Sequence, residues 1–130
     1  MKTDLQDRED VKVLINHFYQ RLLADEEMMH FFEDIDLIDH MPILYDFWES
    51  VLFQAGKYKR NTFEKHLELH IEKPIQAEHL ERWVKHFTDS VNDHFEGPKA
   101  EHAKNTARSV ASIIKAKLDN FEQWRIELNN

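Results

Sequence analysis

The chain contains no cysteine, only two glycines and only three prolines in 130 residues. Without cysteine there is no disulfide, no thiolate metal site, no cysteine nucleophile and no thioether-linked prosthetic group. So few turn residues do not suit an all-β protein with many hairpins; they suit a few long helices joined by short loops. Positive charge is also short, with Lys+Arg 17 against Asp+Glu 25 and a formal net charge of -8. An acidic surface repels phosphate backbones, so nucleic acid is excluded as an expected partner. No apolar run approaches the length of a membrane span, which removes the membrane as a partner. The opening Met1-Lys2-Thr3-Asp4 is polar, with no apolar signal segment behind it, and the expected address is cytoplasmic.

What is present is bulk. Hydrophobic residues make up 42% of the chain, and nine Phe, three Trp and three Tyr fill space. This length and composition predict one domain over 1–130 with a true core, and the acidic surface favours a monomer. Asp7 can cap a first helix whose apolar positions Val11, Leu14, Ile15, Phe18 and Leu22 share one face, with Tyr19 at its edge. Asp25-Glu26-Glu27 starts a short helix that carries Met28, Met29, Phe31 and Phe32. After an acidic connector, a helix from about Asp39 carries Pro42 in its first turn and turns His40, Leu44, Phe47, Trp48 and Val51 inward. Gly56 is its expected cap. Thr62 to Leu69 forms a short helix before Pro74, and a long one runs from about Ile75 to Phe95. Gly97-Pro98 breaks the chain and starts a last helix with an apolar stripe of Ala103, Ala107, Val110, Ala111, Ile114, Leu118 and Phe121. The expected architecture is all-α, with six or seven helices.

Four inward-facing residues could carry chemistry: Tyr19, His40, His66 and Trp83. A His on a short segment clear of the packed bundle can present a neutral imidazole to a haem iron, and Phe63, Leu67 and Leu69 around His66 suit a porphyrin face. His40 sits at the mouth of a buried stripe, where it can gate a pocket, donate to a ligand or coordinate iron. Tyr19 and Trp83 each join an apolar ring to one hydrogen-bond donor. Each residue also has a plain reading. His66 can be amphipathic surface and His40 a first-turn packing residue, while both rings can fill core and donate to carbonyls.

The order Phe18-Tyr19, Phe31-Phe32, His40 ahead of Trp48, Lys65-His66-Leu67, then Trp83-Val84-Lys85-His86-Phe87 and Phe95-Glu96-Gly97-Pro98 resembles the truncated haemoglobins, specifically their third group. The resemblance spans about residues 8 to 118. It implies a globin-like, two-over-two helical sandwich around haem b (iron protoporphyrin IX). His66 would match the proximal iron ligand, and Tyr19, His40 and Trp83 the distal residues around a bound gas. Phe32 would wedge the porphyrin, Leu44 would lie above the iron, and Phe47 and Phe63 would help exclude water. O₂, NO and CO are the expected ligands. So many distal hydrogen bonds suit gas chemistry better than transport, and NO detoxification or peroxide reduction with an external reductase is compatible with the pattern. No residue is assigned a catalytic role. Lys57, Tyr58, Arg60 and Lys65 are candidates for the haem propionates by position alone, a solvated loop being the other reading for most of them. His70 stands one turn beyond His66 and offers a second proximal candidate.

Two other readings stay open. His66 and His70 are four apart and could share a non-haem metal on a helix. Glu27-Met28-Met29-His30 fits half of a di-iron pattern, without a second copy. Alternatively, the chain is a cofactor-free helical interaction module. In that view His17, His30, His79, His86, His94 and His102 are solvated, as are the charges of Lys12, Arg21, Asp89 and Lys104, and Trp124 anchors a partner.

Overall fold

The structure, a computed structural model, describes residues 2–54 and 62–128, the side chains of 62–65 excepted. Five α-helices follow in order: α1 Arg8–Ala24, α2 Leu37–Phe53, α3 Thr62–Glu72, α4 Ala77–His94 and α5 Pro98–Leu128, with a 3-10 turn at Met29–Phe32 between the first two. Among the described residues there is no strand, only an isolated bridge from Thr3 to Phe95. The helices α1 and α2 form one layer and α4 and α5 the other, so the packing is two over two. The shorter α3 rests chiefly on α5.

Local chemistry explains the boundaries. Asp7 caps α1 as expected, its carboxylate accepting the Asp10 N–H at 3.1 Å. The cap of α2 is Asp36 rather than Asp39, so the helix starts earlier and Pro42 falls in its second turn. Pro42 is exposed there, and water can reach the carbonyl of Ile38 that its missing N–H leaves open. The same helix ends at Phe53, capped by Gln54 in the left-handed conformation at φ 54, before the expected Gly56. Gly56 itself lies outside the described residues. The helix α3 continues past Leu69 to Glu72, because the first residue that resists helical geometry is Lys73, ahead of Pro74. A capping box of Gln76 and His79 opens α4: Gln76 N–H donates to His79 Nδ1 at 2.8 Å.

The buried residues Ala100, Ala103, Ala107 and Ala111 let α5 lie close against its neighbours. Across the layers, Phe87 of α4 is fully buried, stacked on Trp48 of α2 at 4.5 Å and met edge-on by Phe18 of α1 at 5.2 Å. Burial of one such ring stabilises the fold by roughly 1.5–3 kcal/mol, and this aromatic junction is also the back wall of the site.

Ion pairs tie the elements at their rims. Arg8 holds Asp46 and Glu49 of α2, both at 2.9 Å, and Arg21 pairs with Asp93 of α4. Asp25, just past α1, accepts from Arg82 at 2.8 Å and stands 2.7 Å from His86 Nε2. Burial alone would raise the Asp25 carboxyl. The bonds from His86, the Glu27 N–H and Arg82 outweigh it and hold the group at about 2. Arg21 and His86 are therefore paired rather than solvated. His17 and His94 are packed together too, with ring centroids 3.9 Å apart. Asp4 reaches the start of α5, where its two carboxylate oxygens each accept a backbone N–H, from Lys99 and Ala100, at 2.9 Å.

Candidate functional site

A cavity of about 510 Å³ opens between the two layers, within the range of sites that take a sizeable organic cofactor. Its walls are mainly apolar. Phe18, Phe32, Leu44, Phe47, Trp48 and Trp83 all contribute, together with the polar groups of Tyr19, His40 and His66. Tyr19, Phe32, His40, Leu44, Phe47, His66 and Trp83, all expected at the site from the sequence, line this one cavity; the side chain of Phe63 lies outside the described residues.

Each side chain is brought there by its helix. Tyr19 is the inward residue next to Phe18 in the buried stripe of α1, and its ring meets Phe32 edge-on at 5.3 Å. His40, in the first turns of α2, is one turn before Leu44 and so shares its face. Tyr19 Oη and His40 Nε2 are 2.9 Å apart, which links the two helices above the cavity. His66 on α3 borders the same space. Trp83 on α4 completes the wall, edge-on to Phe18 at 5.6 Å and stacked with Phe87 at 6.1 Å.

Burial fixes the protonation states. It pushes the Tyr19 phenol well above its ordinary value, so the hydroxyl keeps its proton and remains a donor. Burial, and then the nearby His66, lower His40 below the usual imidazole value, which keeps it neutral. A neutral His40 has two ways to meet Tyr19. The phenol O–H donates to an unprotonated Nε2, or Nε2–H donates to Oη and leaves the phenol hydrogen for a molecule in the cavity. The pair is therefore a donor that tautomer exchange can redirect.

His70 lies elsewhere. It is 5% exposed and both ring nitrogens are engaged: Nδ1 accepts the Ile75 N–H at 2.9 Å, and Nε2 stands 2.5 Å from Glu122 Oε1. It does not line the cavity, and with both nitrogens committed it is not placed to share a metal with His66. Among the described residues no group of three or more His, Asp or Glu could hold a metal ion. His30 packs against Phe31, with ring centroids 4.0 Å apart.

Sequence reasoning missed the polar rim. Asp34, Glu68, Glu72, Lys73 and His79 also line the cavity. Lys73 is the clearest: Nζ donates to the His30 carbonyl at 2.6 Å and lies 3.4 Å from Asp34. The signal was the break at Pro74, since α3 stops at Glu72, just before Lys73. Of the proposed propionate contacts, Lys57, Tyr58 and Arg60 and the side chain of Lys65 lie outside the described residues.

A large apolar slot with one imidazole beside a phenol and a second imidazole on another helix is a donor set that fits a haem. The comparisons with known proteins point the same way. The sequence model described as bacterial-like globin matches residues 5–118. A crystal structure of group III truncated hemoglobin from Campylobacter jejuni superposes with a TM-score of 0.80 at 25% identity, covering 91% of this chain and 95% of that one. The fold is also similar to Chlamydomonas reinhardtii THB1, with a TM-score of 0.67, 18% identity and coverage of 82% and 88%. THB4 from the same organism gives 0.66 and 19%, with coverage of 80% and 85%. No match was found among curated protein sequences.

Proposed function

The chain belongs to the bacterial-like globin family, and from that premise we propose that it binds haem b and holds a diatomic gas in the cavity between its layers. The observation that carries the reading is the placing of Tyr19, His40, His66 and Trp83 around one apolar space of about 510 Å³. When bound, haem would supply an iron centre that an imidazole can hold and a small gas can reach.

His66 is the group that holds the iron, since it borders the cavity and His70 has both nitrogens committed. Tyr19 and Trp83 are the donors to a bound gas. The phenol stays protonated because it is buried, so it can give a hydrogen bond to a partly negative oxygen. His40 sets how much of that donor is available and guards entry to the cavity. Phe32, Leu44 and Phe47 exclude water, with Phe63 assigned the same role. A hydrogen bond to a charged acceptor contributes roughly 1.5–3 kcal/mol, or about 10- to 100-fold in retention of the ligand.

Such retention suits chemistry on the gas better than carriage. We assign O₂, NO and CO as ligands, with NO detoxification or peroxide reduction as the reaction class. In this reading the electrons come from a reductase. No helix among the described residues is long and apolar enough to cross a membrane, and the acidic surface accords with a cytoplasmic monomer.

Titration with hemin tests the assignment. The parent protein takes up one equivalent, and His66→Ala loses stable binding while His70→Gln still takes up one equivalent. Equal hemin affinity in the parent and His66→Ala would remove His66 from the role.

A further inference from the structure

The last helix runs beyond the family-matched segment, which ends at residue 118, and continues to Leu128. The end of this helix reaches the helix that carries His66. His70 of α3 is buried against it, its ring edge-on to Phe121 at 6.2 Å. Because His70 Nδ1 accepts the Ile75 N–H at 2.9 Å, the ring hydrogen sits on Nε2. Nε2–H therefore donates to Glu122 Oε1, at 2.5 Å. Arg125 in turn donates to both Glu122 oxygens, at 2.6 and 2.8 Å, and so fixes the carboxylate in place. The residues Phe121, Glu122 and Arg125 all lie beyond the matched segment.

His66 and His70 are four residues apart, one turn along the same face of α3. Whatever fixes His70 along and around the helix axis fixes His66 as well. The connector after α3 is anchored independently through Lys73 Nζ and the His30 carbonyl, and α5 is the main element on which α3 rests.

We propose that the C-terminal end of α5 is a clamp on the ligand-bearing helix, with Glu122 and His70 as positioning residues that hold His66 at its place in the cavity. The clamp is a physical tie whatever the cavity binds; its purpose rests on the haem reading. The bond is directional, since a ring with both nitrogens engaged, by Ile75 N–H and by Glu122, is held in one orientation. A merely space-filling residue at position 70 would not fix rotation.

The test compares Glu122→Ala with Glu122→Gln, whose amide oxygen still accepts from Nε2–H. Amide hydrogen exchange is read on the purified protein, and hemin loss to an excess of apoglobin acceptor is read on the haem-loaded protein. Glu122→Ala should accelerate exchange across α3 about tenfold with α1 unchanged, and hemin loss about tenfold; Glu122→Gln should bring both back toward the parent. Unchanged α3 exchange in Glu122→Ala overturns the clamp. Faster exchange with unchanged hemin loss overturns its positioning role. If the parent itself takes up no hemin, the haem reading has failed, and the exchange comparison alone decides the clamp.

Discussion

Tyr19 Oη and His40 Nε2 stand 2.9 Å apart, one on α1 and the other on α2, at the wall of a cavity that His66 also borders. This bond makes the phenol's availability as a donor conditional on its neighbour. While the phenol hydrogen is directed to His40 it is withheld from a ligand; when His40 donates instead, the phenol is released to the cavity.

Removing the hydroxyl should therefore expose its contribution. Tyr19→Phe keeps the edge contact with Phe32 but loses the donor. The dioxygen dissociation rate of the haem-loaded protein, followed by stopped flow, should rise about tenfold or more. An unchanged rate would mean that the hydroxyl stays committed to His40 in the liganded protein.

The depressed His40 value makes stability depend on pH in a defined direction. In the unfolded chain the ring takes up a proton near its ordinary value of 6.5, whereas burial and then His66 delay that uptake in the fold. Below about 6.5 the unfolded state thus binds more protons, and stability falls as pH falls. In urea unfolding of the haem-free protein, His40→Leu should lose less stability than the parent over this window. An equal loss would assign the pH dependence to other groups.

Asp25 has the opposite sign of dependence from a raised group. Its carboxyl is held at about 2 against an ordinary 3.8, so its contribution is complete above the ordinary value and disappears as pH falls through about 2. Asp25→Ala should cost about 2 kcal/mol at neutral pH by releasing Arg82 and His86. That difference from the parent should shrink in acid. A constant difference across the acid range would contradict the ionic origin.

Gly97, the one glycine among the described residues, has φ at 147°, a conformation that other residues rarely adopt. A Cβ there would also come within 2.5 Å of Asp4 Cγ, which sits over the start of α5. Gly97→Ala should lower stability by about 1–3 kcal/mol in chemical denaturation. A neutral result would show that the N-terminal arm yields at little cost.

The sequence revealed those features that depend on local order. Asp7 announces α1, and the stripe through Phe18 brings Tyr19 inward without knowledge of any partner. The same period placed His40 with Leu44 and Trp48, and the breaks around Thr62–Pro74 left His66 on a short helix. What stayed hidden depends on distance along the chain. Asp25 reads as a helix starter because its partners Arg82 and His86 are on α4. His70 reads as a possible metal ligand because nothing near it betrays Glu122, far along α5. The Gln76–His79 capping box escaped because neither residue is the usual Ser or Thr with Glu. Gln54 adopts the left-handed cap that Gly56 was expected to supply, since the helix needs its stop one turn after Ser50, whose carbonyl takes the Gln54 N–H at 3.0 Å.

The most direct test of the central claim is an absorption spectrum of the protein purified from haem-supplied cells, ferric and then dithionite-reduced under CO. A strong Soret band that shifts on reduction and again with CO is the expected result. No Soret band, even after addition of hemin to the purified protein, would contradict the haem globin reading.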